Sequence, residues 1–182
     1  VTVPQSIGYL VPEFPSQTHA FFWREMRAME EAGVSVRLFS TRRPSADACP
    51  HVFAEEARAR TAYLFPPRWK QVTRVLVNRP RRLLSAIRYI FGLKETPLRQ
   101  RLKLLFLIAS AADLLCHAHA ANITHVHIHS CANAAHLGAL AKILGDLSYS
   151  LTLHGNLEVY GTDHGAKMKQ AAFVSAVTAP LK

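Results

Sequence analysis

The spacing of apolar and polar residues divides the start of the chain into a strand, a helix and a second strand. Residues 5–11 are mostly apolar and predict a buried strand. Phe22 and Met26 recur at helical spacing in the next segment, and Gly33 stands where a helix would end. Residues 34–41 are apolar again and predict the second strand. Because two parallel strands need a crossover, the pattern predicts a βαβ unit.

The alternation of strands and helices continues along the rest of the chain. Strands are predicted at 62–65, 124–129, 149–155 and 173–179, and helices at 53–60, 67–78, 80–92, 97–120, 132–145 and 164–172. This order is typical of an α/β fold, here a Rossmann-like, mainly parallel sheet flanked by helices. Ligands bind such sheets at the carboxyl ends of the strands. Those ends are predicted at 12–18, 129–133, 154–163 and 179–182.

The composition is that of one folded domain. The chain has 182 residues, 49% apolar and 19% charged, so residues 1–182 are expected to form a single Rossmann-like domain. It begins with Val1, so the natural start is expected to be missing, and no signal peptide or membrane span is expected. The three cysteines form no CxxC pair, which favours a cytoplasmic setting over a disulfide framework or a cysteine zinc site.

Positive charge is concentrated in one predicted helical segment. Residues 66–105 contain eleven Lys and Arg and one acid, Glu95, whereas basic and acidic residues balance elsewhere. Apolar and aromatic residues are interleaved with these cations, a pattern that favours contact with an anionic membrane surface. The residues predicted to make that contact are Trp69, Lys70, Arg74, Arg81, Arg82 and Arg88.

Residues 66–105 have two alternative interpretations besides membrane contact. Positive charge also suits nucleic acid, but no recognised nucleic-acid motif accompanies it, so no nucleic acid partner is predicted. The same composition describes a solvated helical face whose apolar side packs on the sheet.

Three segments of the chain resemble one enzyme family. The opening, IGYLVPEFPSQTHAFFWREMRAMEEAGVSVRLFSTRRP, resembles the first βαβ unit of the bacterial family 4 glycosyltransferases of GT-B fold, in members with a P-x-x-S-E-T-F-like loop. The segment HVHIHSCANAAHLGALAKILGDLSYSLTLHGNLEVY resembles the family's histidine-containing strand, helix and strand ending in T-x-H-[GA]. The segment MKQAAFVSAVTA resembles the end of the family's N-terminal domain. The three matches occur in order and at the family's separations.

The resemblance implies half of a two-domain enzyme that makes exopolysaccharides or lipid-linked glycans. The family's N-terminal domain mostly binds the acceptor, and its C-terminal domain binds the nucleotide-sugar donor and carries a paired-glutamate motif. The chain stops at Lys182, about where the family crosses to that second domain, and contains no such motif. We therefore expect the acceptor-side domain of a retaining enzyme, with no cofactor of its own, inactive in isolation and peripheral to the inner face of the bacterial membrane. Its expected partners are the C-terminal domain and a sugar or lipid-linked acceptor.

His154 and Glu158 are the predicted catalytic residues. In the resembled family, a histidine at the place of His154 lies in the interdomain cleft near the transferred sugar, where an imidazole can hydrogen-bond a hydroxyl or a developing charge. Glu158 stands where the family often has Asp, and its carboxylate could orient or deprotonate the acceptor hydroxyl. The alternatives are a structural hydrogen bond for His154 and a surface ion pair for Glu158.

The first strand-to-helix loop supplies four predicted substrate-binding residues, Glu13, Ser16, Gln17 and Thr18. Such a turn directs backbone N–H groups at an anion. The family commonly has Glu at the place of Gln17, so a carboxylate role is not expected there. Helix capping is the alternative for Ser16 and Thr18.

Histidines are also concentrated around the strand at 124–129. His125, His127 and His129 alternate and share one face of that strand, so a zinc site is a minor alternative there, although no metal is predicted. His129, at the strand's carboxyl end, and Asn133, at the next helix start, are predicted to bind substrate, with capping as the alternative for Asn133.

Two other functions are weighed against the glycosyltransferase. The first is a non-catalytic module that binds a membrane surface or a polyanion through residues 66–105. The second is a dinucleotide-binding Rossmann domain, which is disfavoured because no GxGxxG follows the first strand.

Overall fold

A six-stranded sheet forms the centre of the computed structural model of the protein, which describes residues 6–177. The strands are β1 (Ser6–Leu10), β2 (Ser35–Ser40), β3 (Thr61–Tyr63), β4 (His125–Ile128), β5 (Ser148–Leu153) and β6 (Val174–Ala176). Their order is β3-β2-β1-β4-β5-β6, and every neighbouring pair is parallel. The predicted α/β class with a Rossmann-like parallel sheet is confirmed.

Seven α-helices flank the sheet in the described part of the chain. They are α1 (Ala20–Glu31), α2 (Ala54–Arg60), α3 (Trp69–Val77), α4 (Pro80–Phe91), α5 (Leu98–Ala120), α6 (Asn133–Gly145) and α7 (His164–Met168). The predicted basic helical segment is observed as α3, α4 and the first turns of α5.

The last two elements are shorter than predicted. The helix predicted at 164–172 ends at Met168, because Tyr149 Oη and Lys142 Nζ donate to the carbonyls of Lys167 and Gln170 (2.5 and 2.7 Å) and draw the chain toward the sheet. The strand predicted at 173–179 is observed at Val174–Ala176, and residues 178 and 179, like the predicted end at 179–182, lie outside the described residues.

The helices divide between the two faces of the sheet. From β1 the chain adds β2 and β3 toward one edge of the sheet, and α3, α4 and α5 then return it to β4 on the other side of β1. From β4 it adds β5 and β6 toward the opposite edge. Because such crossovers are right-handed, this reversal places α1 and α2 on one face and the later helices on the other. Two buried apolar clusters follow, one around Tyr9, Phe22 and Met26 and the other around Leu10, Ile128 and helices α3 to α6.

Helix α1 ends as predicted at Gly33 and begins differently from the prediction. Gly33 has φ of +85°, and the N–H groups of Gly33 and Val34 donate to the carbonyls of Glu30 and Met29 (both 2.9 Å), which is a Schellman motif. At the other end, Ser16 precedes a 3-10 turn at Gln17–His19 and makes no side-chain capping bond. The capping alternative for Ser16 and Thr18 is therefore wrong, because the extra turn separates them from α1.

Helix α5 is the core helix of the domain. By length and composition it could also cross a membrane, although the sequence analysis predicted no membrane span. Half of its most apolar stretch of 18 residues is buried inside the protein. That buried part includes Asp113, which is fully buried, and Arg68 Nε donates to its carboxylate at 2.8 Å. The ion pair between Asp113 of α5 and Arg68, which precedes α3, and the packing of α5 against α3, α4 and α6 are typical of a helix of the protein core.

A ladder of hydrogen bonds crosses the α1 side of β4 and β5. The ring nitrogens of His125 bond the hydroxyls of Ser148 and Ser150 at 3.0 and 2.8 Å, and those of His127 bond the hydroxyls of Ser150 and Thr152 at 2.7 and 2.8 Å. The prediction that His125, His127 and His129 share one face is confirmed, because His125 and His127 bond the same Ser150 hydroxyl and the rings of His127 and His129 lie 4.6 Å apart. Because hydroxyls bond the imidazoles of His125 and His127, those nitrogens are not free for a metal ion.

Candidate functional site

Two histidines meet at the carboxyl edge of the sheet. His129 follows β4 and His154 follows β5, and His129 Nδ1 lies 3.1 Å from His154 Nε2. Both line an open cavity of about 240 Å³, together with Thr18, Phe21 and Phe22. We call this cavity the His129–His154 pocket.

The backbone fixes both histidines where their strands end. The N–H of His129 donates to the carbonyl of Leu10 at 3.0 Å, which continues the pairing of β4 with β1 by one residue. The N–H of His154 donates instead to the hydroxyl of Tyr160 at 2.9 Å. Because neighbouring parallel strands end at the same edge, residues that directly follow β4 and β5 come together.

Burial keeps this pair of histidines neutral. Burial, and after it the neighbouring imidazoles of His127, His154 and His19, together lower the pKa of His129 to about 2. Burial also lowers the pKa of His154 from its ordinary value, against the opposing charge of Glu25. A neutral pair shares one proton across the 3.1 Å bond. His129 Nε2 is buried without a partner among the described residues, so the proton position on His129 decides whether His154 can donate or accept toward the cavity.

Aromatic rings surround the histidine pair on the α1 side. The rings of Phe21 and Phe22 lie 5.4 and 5.2 Å from that of His154, and Tyr9 lies 4.2 Å from that of His129. Phe22 is buried, whereas Phe21 is 47% exposed at the mouth of the cavity. Phe21 was not predicted as a site residue from the sequence. The available signal was that Phe21 is apolar and stands next to Phe22, the position predicted to be buried in α1.

The four residues predicted in the first loop occupy different places. Thr18 lines the His129–His154 pocket, whereas Glu13, Ser16 and Gln17 do not. Glu13 has φ of +52°, and its carboxylate pairs with Arg42. The loop is anchored behind these residues by Phe14, whose ring is buried and whose N–H donates to Ser40 Oγ at 2.9 Å.

Glu158 and Asn133 lie away from the histidine pair. Glu158 is exposed on a 3-10 turn at Leu157–Tyr160 and lines none of the cavities described here, so its catalytic role stays a prediction. Asn133 begins α6 and lines a second cavity of about 260 Å³ with Lys103 and Lys167. Asn133 lies at the carboxyl edge of the sheet, as predicted for the start of the helix, and its substrate-binding role stays a prediction.

The basic helices expose stripes in which cations and apolar residues alternate. On α4 the exposed side chains at helical spacing are Arg81, Leu84, Arg88 and Phe91. On α3 they include Trp69, 59% exposed, with Lys70 and Arg74 beside it.

Arg82 differs from the other predicted membrane-contact residues. Its guanidinium donates to the Ile143 carbonyl at 3.2 Å and to the Asp146 carboxylate at 2.5 Å. Arg82 therefore ties α4 to the end of α6, and the other five residues form the exposed surface, which we call the basic surface.

Acid is expected to destabilise the protein through His129 and His136. Both are almost fully buried, and burial lowers the pKa of His136 to about 4 and that of His129 to about 2. The unfolded chain takes up these protons near pH 6.5, so below that pH it binds more protons than the folded chain, and stability falls as the pH falls. Each group contributes roughly 1.4 kcal/mol per pH unit.

Urea unfolding at pH 7, 6 and 5 measures this loss. A His136→Gln variant should lose the part of the pH dependence that His136 contributes, roughly 1.4 kcal/mol per pH unit below pH 6.5, while buried His127 and His129 keep theirs. Stability that does not change between pH 7 and pH 5 would contradict the assignment of neutral, buried imidazoles.

The site offers neutral hydrogen-bonding groups beside exposed aromatic surface. Within residues 6–177, no group of three or more His, Cys, Asp or Glu side chains is arranged to hold a metal ion. The imidazoles and the Thr18 hydroxyl are groups that can hydrogen-bond a polyhydroxyl ligand, and Phe21 offers an apolar surface for one side of it. Comparison with models of known protein families and with curated proteins finds no match for the chain.

Proposed function

We propose that the chain is the acceptor-side domain of a retaining, nucleotide-sugar-dependent glycosyltransferase of the bacterial family 4, GT-B type. The observation that carries the proposal is the neutral His129–His154 pair, which stands at the carboxyl edge of a parallel sheet. His154 is the histidine of the T-x-H-G segment on which the resemblance depends. The acceptor would be a polysaccharide or a lipid-linked sugar.

The chemistry assigned to the pocket is positioning and charge stabilisation. A neutral imidazole at His154 donates to or accepts from a sugar hydroxyl without carrying a fixed charge, and a group aimed at charge that develops in the transition state lowers the barrier. The exposed ring of Phe21 offers an apolar surface for one side of a sugar. The donor would be held by a C-terminal domain facing this edge, so the isolated chain is expected to bind an acceptor and not to turn over donor.

Substitution of His154 tests the proposal. In the protein that includes the donor-binding domain, His154→Ala is expected to reduce sugar transfer from the nucleotide-sugar by about a hundredfold, the usual effect of removing one such hydrogen-bonding group. Transfer of labelled sugar into a lipid or polysaccharide fraction measures it, with His119→Ala as the matched control because His119 is exposed at the far end of α5. Full activity in His154→Ala would remove the proposed role, and a protein that turns over no nucleotide-sugar would contradict the enzyme class.

A membrane-binding role is supported by a separate observation, the basic surface. Cations on α3 and α4 stand between exposed Trp69, Leu84 and Phe91, the combination that lets charge bind anionic lipid while aromatic rings enter the headgroup region. We propose that this surface holds the enzyme on the inner face of the bacterial membrane, where a lipid-linked acceptor is presented. If the chain has no catalytic partner, the same surface makes it a non-catalytic membrane-binding module.

A further inference from the structure

The cavity beside Asn133 contains a buried amine. Lys167 is 1% exposed, and its Nζ donates to the Tyr160 carbonyl at 2.8 Å and lies 3.5 Å from His164 Nδ1. Lys167 forms no ion pair with any carboxylate in the part of the chain that the structure describes. Burying an ammonium without a paired carboxylate is costly, and a negative ligand in the cavity would reduce that cost.

The nearby acids are already engaged elsewhere. The Asp163 carboxylate accepts from the backbone N–H groups of Lys94, Glu95 and Thr96 at 2.8 to 3.3 Å, and from the Thr96 hydroxyl at 2.7 Å. The Glu95 carboxylate accepts from the Asp163 N–H at 2.8 Å. We call this set of bonds the Asp163 clasp. It engages both carboxylates, so that neither forms an ion pair with Lys167, although their charges still act on its ammonium through space, and it fixes the wall of the cavity at Thr96.

The remaining lining supplies donors and no carboxylate. Lys103 contributes a second ammonium from α5, and Gln100 contributes an amide. Thr96 and Thr162 also line the cavity with hydroxyls 2.9 Å apart, but the Thr96 hydroxyl already donates to Asp163. The first turn of α6 opens at the same cavity through Asn133, and the N–H groups of a helix start favour an anion. Two cations, several neutral donors and the end of a helix dipole converge on about 260 Å³.

We propose that this cavity, the Lys167 pocket, is a binding site for a phosphate group. Its donors approach from the three helices α5, α6 and α7, which suits a ligand with several acceptor oxygens, and the volume leaves room for a substituent beyond the phosphate. Burial also lowers the pKa of Lys167 below its ordinary value, and a bound phosphate would oppose that change. The Lys167 pocket does not share lining residues with the His129–His154 pocket, so this inference does not rest on sugar transfer.

Titration of the 182-residue chain with inorganic phosphate tests the proposal. Saturable shifts are expected in the amide NMR signals of Thr96, Asn133 and Thr162, measured against sodium chloride at the same ionic strength. Lys167→Met should weaken the affinity by about tenfold or more, the usual effect of losing a charged hydrogen bond. Lys169→Met is the matched control, because Lys169 is exposed next to the same helix and does not line the cavity.

Lys103→Met provides the second variant, because Lys167 also holds the Tyr160 carbonyl and its loss could unfold the loop. Lys103 is exposed, so its substitution should weaken phosphate binding several-fold in a folded protein. A short isoprenyl monophosphate distinguishes the source: competition with inorganic phosphate shows that the site recognises the phosphate itself, and binding of the isoprenyl compound alone through the same lysines assigns it to a lipid phosphate. No saturable shift with either compound, or equal weakening in Lys169→Met, would overturn the proposal.

Discussion

Replacing the four cations of the basic surface with glutamine is expected to weaken binding to anionic vesicles by about a thousandfold. The variant changes Lys70, Arg74, Arg81 and Arg88, all of which are exposed. Each cation near an anionic surface contributes about 1 kcal/mol, and about 4 kcal/mol corresponds to a factor of roughly 10³ in affinity. Because these side chains project into solvent, the free energy of unfolding should hardly change.

Flotation with vesicles of phosphatidylcholine and phosphatidylglycerol measures this effect. The matched control removes the same charge from other exposed positions by changing Arg24, Arg37, Arg43 and Lys169 to glutamine. The wild-type chain should bind at low salt and dissociate at high salt, since screening weakens exposed charges. If both variants bind as well as the wild type, the segment is a solvated helical face and the membrane role fails.

Replacing Arg68 with methionine is expected to destabilise the protein by about 3 kcal/mol, at the low end of the range for breaking a buried ion pair. Asp113 is fully buried in α5, and Arg68 Nε donates to its Oδ1 at 2.8 Å. The other oxygen, Oδ2, has no hydrogen-bond partner among the described residues, and His117 Nε2 lies 3.8 Å away. Without Arg68 the carboxylate would have no strong counter-charge, and the core would hold an uncompensated anion. Arg68 is 40% exposed, which is why the expected loss is near the lower limit.

Urea unfolding of three variants separates the ion pair from other roles of Arg68. Asp113→Leu with Arg68→Met should recover much of the lost stability, because a well-packed apolar pair can replace a buried ion pair. Arg74→Met is the control, since Arg74 is exposed on α3, the helix that begins directly after Arg68, and forms no ion pair within residues 6–177. A loss below about 1 kcal/mol in Arg68→Met would mean that water reaches Asp113 and solvates it.

Much of the sheet could be predicted because its signals are local. Apolar runs, helical spacing and Gly33 fix β1, α1 and β2 within a few residues, and each depends only on near neighbours. The approach of His129 to His154 was also accessible, since both directly follow strands of one parallel sheet and need no long-range information.

The Lys167 pocket could not be predicted because its parts are distant in sequence. Lys103 and Lys167 belong to helices whose approach depends on packing, and a lone Lys in a short helix gives no sign of burial. Glu158 stands on an exposed 3-10 turn that ends at Gly161, with φ of +84°, and it does not line the His129–His154 pocket. Loop conformations of this kind leave only a weak pattern in the sequence.

The Asp163 clasp has a consequence for the timescale on which the protein opens. Lys94 and Glu95 are exposed, and their amide protons would normally exchange with solvent water quickly. Their N–H groups bond the Asp163 carboxylate, so exchange must wait until the turn between α4 and α5 separates from the loop before α7. Burial raises the pKa of Asp163, but the hydrogen bonds from Thr96, Glu95 and Lys94 lower that pKa by more. The carboxylate therefore stays charged at pH values somewhat below 3.8, the ordinary pKa of Asp. Slow hydrogen exchange at these exposed amides therefore reports on the opening of the basic helices as one unit, and it persists until acid protonates Asp163.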